Sequence, residues 1–120
     1  MLAQYEEKLI NALKQLPNPI VDNKHRIKIR FENDRARSNQ SRFTHIVVKR
    51  HKLKVSDIKR IAEKVNKSIL KKDKERKDTY NLYIKRNNIS EDYIKISMEI
   101  KFKESNDAFV RTIYITENDK

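Results

Sequence analysis

Apolar and polar residues alternate with recognisable periods along most of this chain. From Leu2 to Leu16, the residues Leu2, Tyr5, Leu9, Leu13 and Leu16 recur at three- and four-residue steps. That spacing predicts one buried face of an amphipathic helix. Pro17 and Pro19 end it, because proline lacks the amide hydrogen and clashes with the preceding turn. Ile27, Ile29 and Phe31 alternate with Lys28 and Arg30 and predict a short strand. Asn33 to Gln40 is polar and predicts a loop. Ser41 to Lys52 is read as a helix, although Ile46-Val47-Val48 has strand propensity. Ser56 is the expected N-cap of the next helix, with Ile58, Ile61, Ala62, Val65 and Ile69 on its buried face. Lys71 to Asp78 reads as a charged connector.

The last third changes to period two. A first strand is expected over about Thr79 to Arg86. A second, Tyr93 to Phe102, sets Ile94, Ile96, Met98, Ile100 and Phe102 on one face. Lys95, Ser97, Glu99 and Lys101 take the other. A third, Ala108 to Thr116, sets Thr112, Tyr114 and Thr116 against Phe109, Ile113 and Ile115. Val110 shares the phase of the hydroxyls, so alternation alone leaves open which face is buried. The turns NNISED and KESND make these strands an antiparallel meander. The expected class is α+β, with N-terminal helices packed on a small antiparallel β-meander. The length of 120 residues allows one domain: a helix and turn over 1–23, a basic helical segment over 24–77 and a three-stranded sheet over 78–120.

Composition narrows the chemistry. There is no cysteine, which excludes disulfides and thiolate zinc sites. There is no glycine, which excludes the glycine-dependent phosphate loops of nucleotide hydrolases and the dinucleotide-binding turn. Asparagines, for instance Asn87-Asn88, are expected at left-handed turn positions. No apolar run is long enough for a membrane span and the first residues do not resemble a signal peptide, so a cytoplasmic protein with no membrane partner is expected. The net charge is +12. Lys24 to Lys77 holds 20 Lys/Arg against 6 Asp/Glu and carries eight of the ten arginines, while the segments on either side are each close to neutral. A basic region so concentrated predicts a polyanionic partner, with nucleic acid first among the candidates, or else is a solvated charged surface.

Two of the three histidines, His45 and His51, fall inside SRFTHIVVKRHKL (41–53), among Arg42, Lys49, Arg50, Lys52 and Lys54. Imidazole exchanges protons near neutral pH, and guanidinium and ammonium groups bind phosphate. Proton carriers beside phosphate binders are the minimum equipment for cutting RNA without a metal. The same residues would equally serve to hold a nucleic-acid backbone. His45 and His51 are six residues apart, about 120° on an ideal helix, so they are not a zinc-binding i,i+4 pair; no metal site and no cofactor are expected. His45 is as readily a packing residue beside Ile46, and His51 an ordinary surface residue. Arg50 is as readily a salt-bridge partner of Asp57 or Glu63. His25 is expected at the surface. Thr112, Tyr114 and Thr116 offer hydroxyls to a phosphate on a face expected near Lys49-Arg50-His51, or are simply good strand formers. Tyr80 and Tyr83 offer rings to bases, or to the core.

The order His45, Ile46, then Arg50-His51, then a helix beginning near Asp57 resembles a phage-associated nuclease family of the barnase/EndoU/colicin/RelE-like superfamily. TYNLYIKR (79–86), YIKIS (93–97) and RTIYIT (111–116) add to the resemblance, which spans about Ile27 to Thr116. It implies a helical layer on a curved antiparallel sheet and metal-independent RNA cleavage on the sheet face. It carries catalytic roles to His45, Arg50, His51 and Thr112 or Thr116. The glutamate that some members use as general base has no clear equivalent in this sequence. The reading is thus a small endoribonuclease of a toxin or mobile element, with Arg42, Lys49, Lys52, Lys54 and Arg86 binding nucleic acid and an acidic protein as a possible inhibitor. The alternative is a nucleic-acid-binding protein of similar origin without catalysis.

Overall fold

The computed structural model describes residues 4–31, 39–47, 50, 52–87 and 91–117, with the side chains of 39–42 excepted. The class is α+β. Three helices, α1 (Gln4–Lys14), α2 (Asn39–Val47) and α3 (Val55–Lys64), cover one face of a six-stranded mixed sheet. The strands are β1 (Ile20–Asp22), β2 (Ile27–Arg30), β3 (Ile69–Lys72), β4 (Thr79–Lys85), β5 (Tyr93–Ile100) and β6 (Asp107–Thr116). Their spatial order is β1-β2-β6-β5-β4-β3. All described neighbours are antiparallel except β2 and β6, which run parallel with Ile29 opposite Ala108.

The core lies between the helices and the sheet. Leu9 and Leu13 of α1, Ile46 of α2, and Ile58 and Ile61 of α3 meet Leu82, Ile84, Ile94, Ile96 and Ile113, all nearly inaccessible to solvent. Of the predicted helix face, Leu9 and Leu13 are buried and Tyr5 is partly so, while α1 ends before Leu16 and Leu2 lies outside the described residues. The antiparallel β4–β5–β6 meander is present, and β5 keeps the predicted alternation from Ile94 to Ile100, with Leu82 opposite Ile96 and Ile96 opposite Ile113.

Several elements differ from expectation. The sheet is twice as wide as the meander, because β1, β2 and β3 join it. Ile69 belongs to β3 rather than to the α3 face, since α3 ends at Lys64 and a short 3₁₀ turn, Val65–Lys67, closes it. Ser68 fixes that end, its hydroxyl donating to the Val65 carbonyl. The N-cap of α3 is Lys54, not Ser56. Lys54 N–H donates to the Asp57 carboxylate at 2.8 Å, the reciprocal half of a capping box. Phe102 lies beyond the end of β5 and is exposed, with its ring edge-on to Tyr80. His25 is half-buried rather than superficial: its Nδ1 lies 2.6 Å from Asp22, whose carboxylate is fully buried and also accepts from the Lys24 and His25 amides. The described left-handed backbone positions are Arg26 and Asp78, with φ near 58° and 56°. With no glycine in the chain, larger residues take these positions at roughly 1 kcal/mol each.

The third strand carries the feature that orders the rest. Ser97 pairs with Thr112, but Met98 pairs with Val110, so Arg111 is an extra residue, a β-bulge. Arg111 donates to Glu99 at 2.8 Å. The bulge reverses the phase of the strand. Ala108 and Val110 point into the core before it, and Ile113 does so after it. Phe109 pairs with Glu99 and so shares its face, not that of Ile113 as strict alternation predicts.

Asp57 ties three segments together. It is 3% exposed, caps α3 and accepts from Arg86 at 2.9 Å, while Arg86 also donates to the Lys52 carbonyl. Removing one partner of a buried ion pair typically costs several kcal/mol. Asp57→Ala is expected to lower unfolding stability by about 3 kcal/mol in urea titration. A loss well under 1 kcal/mol would show that the bridge contributes little.

Candidate functional site

The sheet face away from the helices is polar, and the strands fix its composition. Asn81 and Tyr83 of β4, Lys95 and Ser97 of β5, and Thr112 and Tyr114 of β6 sit in register across three strands. The segment Asp73 to Asp78, between β3 and β4, folds over one side of this face. Asp73 holds it there. Its carboxylate accepts from the amides of Arg76 at 2.8 Å and Glu75 at 3.1 Å, and from the Asn81 side chain at 3.0 Å. The predicted charged connector is therefore a wall of the site.

From the other side comes Arg50. The chain leaving α2 is turned by a hydrogen bond from Arg50 N–H to the Val47 carbonyl, and a second turn follows from Leu53 N–H to the Arg50 carbonyl. The guanidinium lies 5.2 Å from the centre of the Tyr114 ring. Its Nε is buried and has no hydrogen-bond partner. Between Arg50 and the 73–76 wall is a cleft of about 380 Å³ whose floor is Ser97, Thr112 and Tyr114.

Two cations share the Tyr114 ring, since Lys95 Nζ is also 5.2 Å from its centre. Arg50 and Lys95 are thus held within roughly a Debye length of each other. Partial burial alone would lower the Lys95 pKa. Hydrogen bonding to and charge attraction by the Tyr114 and Tyr83 phenol oxygens outweigh it, and the pKa is raised. Two carboxylates also line the cleft, Asp73 and Glu75. Asp73 is fully engaged by its three donors, whereas Glu75 is exposed. Cations, hydroxyl donors and an uncommitted guanidinium N–H in a small concave space suit a phosphate group.

Of the residues singled out by sequence, Arg50 and Thr112 meet in this cleft. Thr116 is on the same face but pairs with Tyr93, beyond the cleft. His45 is exposed on α2, in the helical layer on the other side of the sheet. His51 and Lys49 lie outside the described residues, as does the side chain of Arg42. Lys52 and Lys54 are exposed near the start of α3. Arg86 is committed to Asp57 and Asp92 as an architectural bridge. Arg50 does not pair with Asp57, because Arg86 already occupies that carboxylate. Tyr83 is 2% exposed under Lys71 and Lys95, so it offers no free ring for base stacking.

Tyr114, on the hydroxyl-bearing face expected near Arg50, also lines the cleft. Sequence reasoning passed over Lys95, Ser97 and Glu75 as site residues, although the alternation in β5 and β6 already puts Lys95 and Ser97 on the face of Tyr114. Only the fold of the β3–β4 segment brings Glu75 to them. Among the described residues no three potential metal-ligating side chains cluster, and no helix is long and apolar enough to cross a membrane. No protein-family model, curated protein or solved structure matches the chain.

The Asp73 environment has a measurable consequence. Donation from the Arg76 amide, then from the Asn81 side chain and the Glu75 amide, lowers its pKa to about 2. The folded value lies below the ordinary aspartate value of 3.8. Its contribution to stability is therefore complete above the unfolded pKa and is lost as pH falls through about 2. Carboxyl-carbon NMR titration is expected to show Asp73 ionised down to that range. A midpoint near 4 would mean that the three donors do not hold it.

Proposed function

We propose that the protein binds RNA in the sheet-face cleft and cleaves it there without a metal ion. The supporting observation is the convergence of Arg50, Lys95, Thr112 and Tyr114 with the Glu75 carboxylate. In such a reaction the ribose 2′-oxygen attacks phosphorus while a base takes its proton. The bond to the 5′-oxygen breaks, and an acid protonates that leaving oxygen. Negative charge builds on the non-bridging oxygens, where Arg50 and Lys95 would stabilise it most strongly in the transition state. Glu75 is the candidate base. His51, next to Arg50 in the sequence, is the candidate acid. Thr112 and Ser97 hydroxyls would orient the phosphate. The basic stretch from Lys24 to Lys77 supplies long-range attraction for the chain. An acidic inhibitor protein would compete for the same cations.

One observation favours a second reading, in which the protein holds RNA without cutting it. No histidine among the described residues lines the cleft.

Two measurements separate these readings. Binding of a short RNA is expected to weaken with salt along a log–log slope of about −2 for three phosphate contacts on a single strand. Arg50→Ala should make that slope shallower by about 0.7. In chelator-containing buffer the wild type is expected to degrade RNA. Arg50→Ala should be slower by about 10²-fold or more, and Glu75→Gln and His51→Ala by about 10²- to 10⁴-fold. Salt-dependent binding with no cleavage would establish the second reading. No binding at low salt would dismiss both.

A further inference from the structure

A second cleft of about 340 Å³ adjoins the first on the same sheet face, lined by Lys71, Lys74, Asn81, Tyr83 and Lys95 among others. The two share Asp73, Glu75, Asn81 and Lys95. Each is near the lower limit of small-molecule sites, about 300 Å³, and so has room for about one nucleotide. Lys95 stands between them. Its ammonium is 5.2 Å from the Tyr114 ring of the first cleft and 5.7 Å from the Tyr83 ring of the second. In β3, Lys71 pairs with Asn81 and so presents its side chain to this face, with its ammonium 5.9 Å from the Tyr83 ring. Lys72 also borders the second cleft, but its ammonium is turned to the opposite face, over Tyr80. Cations on the polar face therefore run in one direction, from Arg50 past Lys95 to Lys71 and Lys74.

We propose that these two clefts form one trough that binds single-stranded RNA across consecutive nucleotides, with Lys71 and Lys74 holding the phosphate next to the one at Arg50. The inference rests on the RNA reading of the Arg50 cleft and adds the substrate class: a single strand of at least two nucleotides, not a mononucleotide and not a duplex. From β6 to β3 the trough crosses three strand spacings, about 14 Å. One phosphate with its ribose does not bridge that span. A duplex presents a broad convex surface, and neither its backbone nor its paired bases enter two clefts of one-nucleotide size.

The test uses fluorescein-labelled 2′-O-methyl oligouridylates of one, two and four nucleotides, which bind without being cleaved, and a 16-base-pair RNA duplex. Fluorescence anisotropy at low salt reads affinity. Wild-type affinity is expected to rise at least tenfold from one nucleotide to four. Lys71→Gln combined with Lys74→Gln should abolish most of that gain and leave mononucleotide affinity within about twofold. Arg50→Ala should weaken every length. Lys8→Gln combined with Lys59→Gln, both in the helical layer, removes the same two charges as a control, and thermal melting checks that each variant is folded. Length-independent binding that still depends on Arg50 would overturn the trough while keeping the RNA reading. So would duplex binding as tight as that of the tetranucleotide, or a double variant that keeps the full length gain. Absence of any binding, or binding indifferent to Arg50, would overturn the RNA reading and the trough with it.

Discussion

A single extra residue in β6 decides which side chains this protein buries and which it presents. Without a bulge at Arg111, strict alternation would put Val110 on the same face as Thr112 and Tyr114. Either an apolar residue would then be exposed among the cations, or two hydroxyl residues would enter the core beside Ile96. Burying a hydroxyl without a partner costs roughly 1–3 kcal/mol. The bulge lets Ala108, Val110 and Ile113 all reach the core while Thr112 and Tyr114 face the opposite way. The salt bridge from Arg111 to Glu99 occupies the displaced side chain. Every contact of the candidate site on β6 depends on that shift of phase.

The electrostatics of the cleft depend on how its acids are used. Asp73 carries charge, but its oxygens are occupied by backbone and amide donors that shape the wall. It balances part of the field of Arg50 and Lys95 without forming an ion pair with either among the described contacts. The buried Nε of Arg50 lacks a hydrogen bond, a deficit of about 1–3 kcal/mol. The Tyr114 ring offsets a share of it through cation–π attraction, about 0.5–2 kcal/mol. The remainder is available to an anion that completes the donor.

Long, strongly periodic elements were legible in the sequence, and short edge elements were not. The first helix and the three strands of the meander follow directly from the spacing of Leu9, Leu13, Leu82, Ile96 and Ile113. β1 has three residues, too few for a period to stand out. β3 has four, and its segment ILKK places lysines where a strand signal would need apolar residues. The parallel pairing of β2 with β6 joins residues nearly eighty positions apart and leaves no local trace. The site divides in the same way. Arg50 and Thr112 stand out as residue types, and Lys95, Ser97 and Tyr114 can be placed on one face by alternation. Glu75 is hidden inside a charged stretch whose path only the fold reveals. His45 stands out by its chemistry, yet α2 turns it to solvent because Phe43, Ile46 and Val47 claim the helix face against the sheet.

The strand that carries Lys71 is also an edge of the sheet, because among the described strands β3 pairs only with β4. An unpaired strand edge invites another chain to add itself, and lysines are a common means of preventing it. Lys71 and Lys72 would therefore be useful on β3 in a protein that bound nothing. The alternation of the strand separates the two duties. Lys71 stands on the polar face with Asn81, while Lys72 stands at the edge on the face of Tyr80. Loss of Lys71 alone would leave Lys72 as the remaining charge on this edge, and loss of both would leave Ile69 and Leu70 on an open, uncharged edge without a barrier to intermolecular strand pairing.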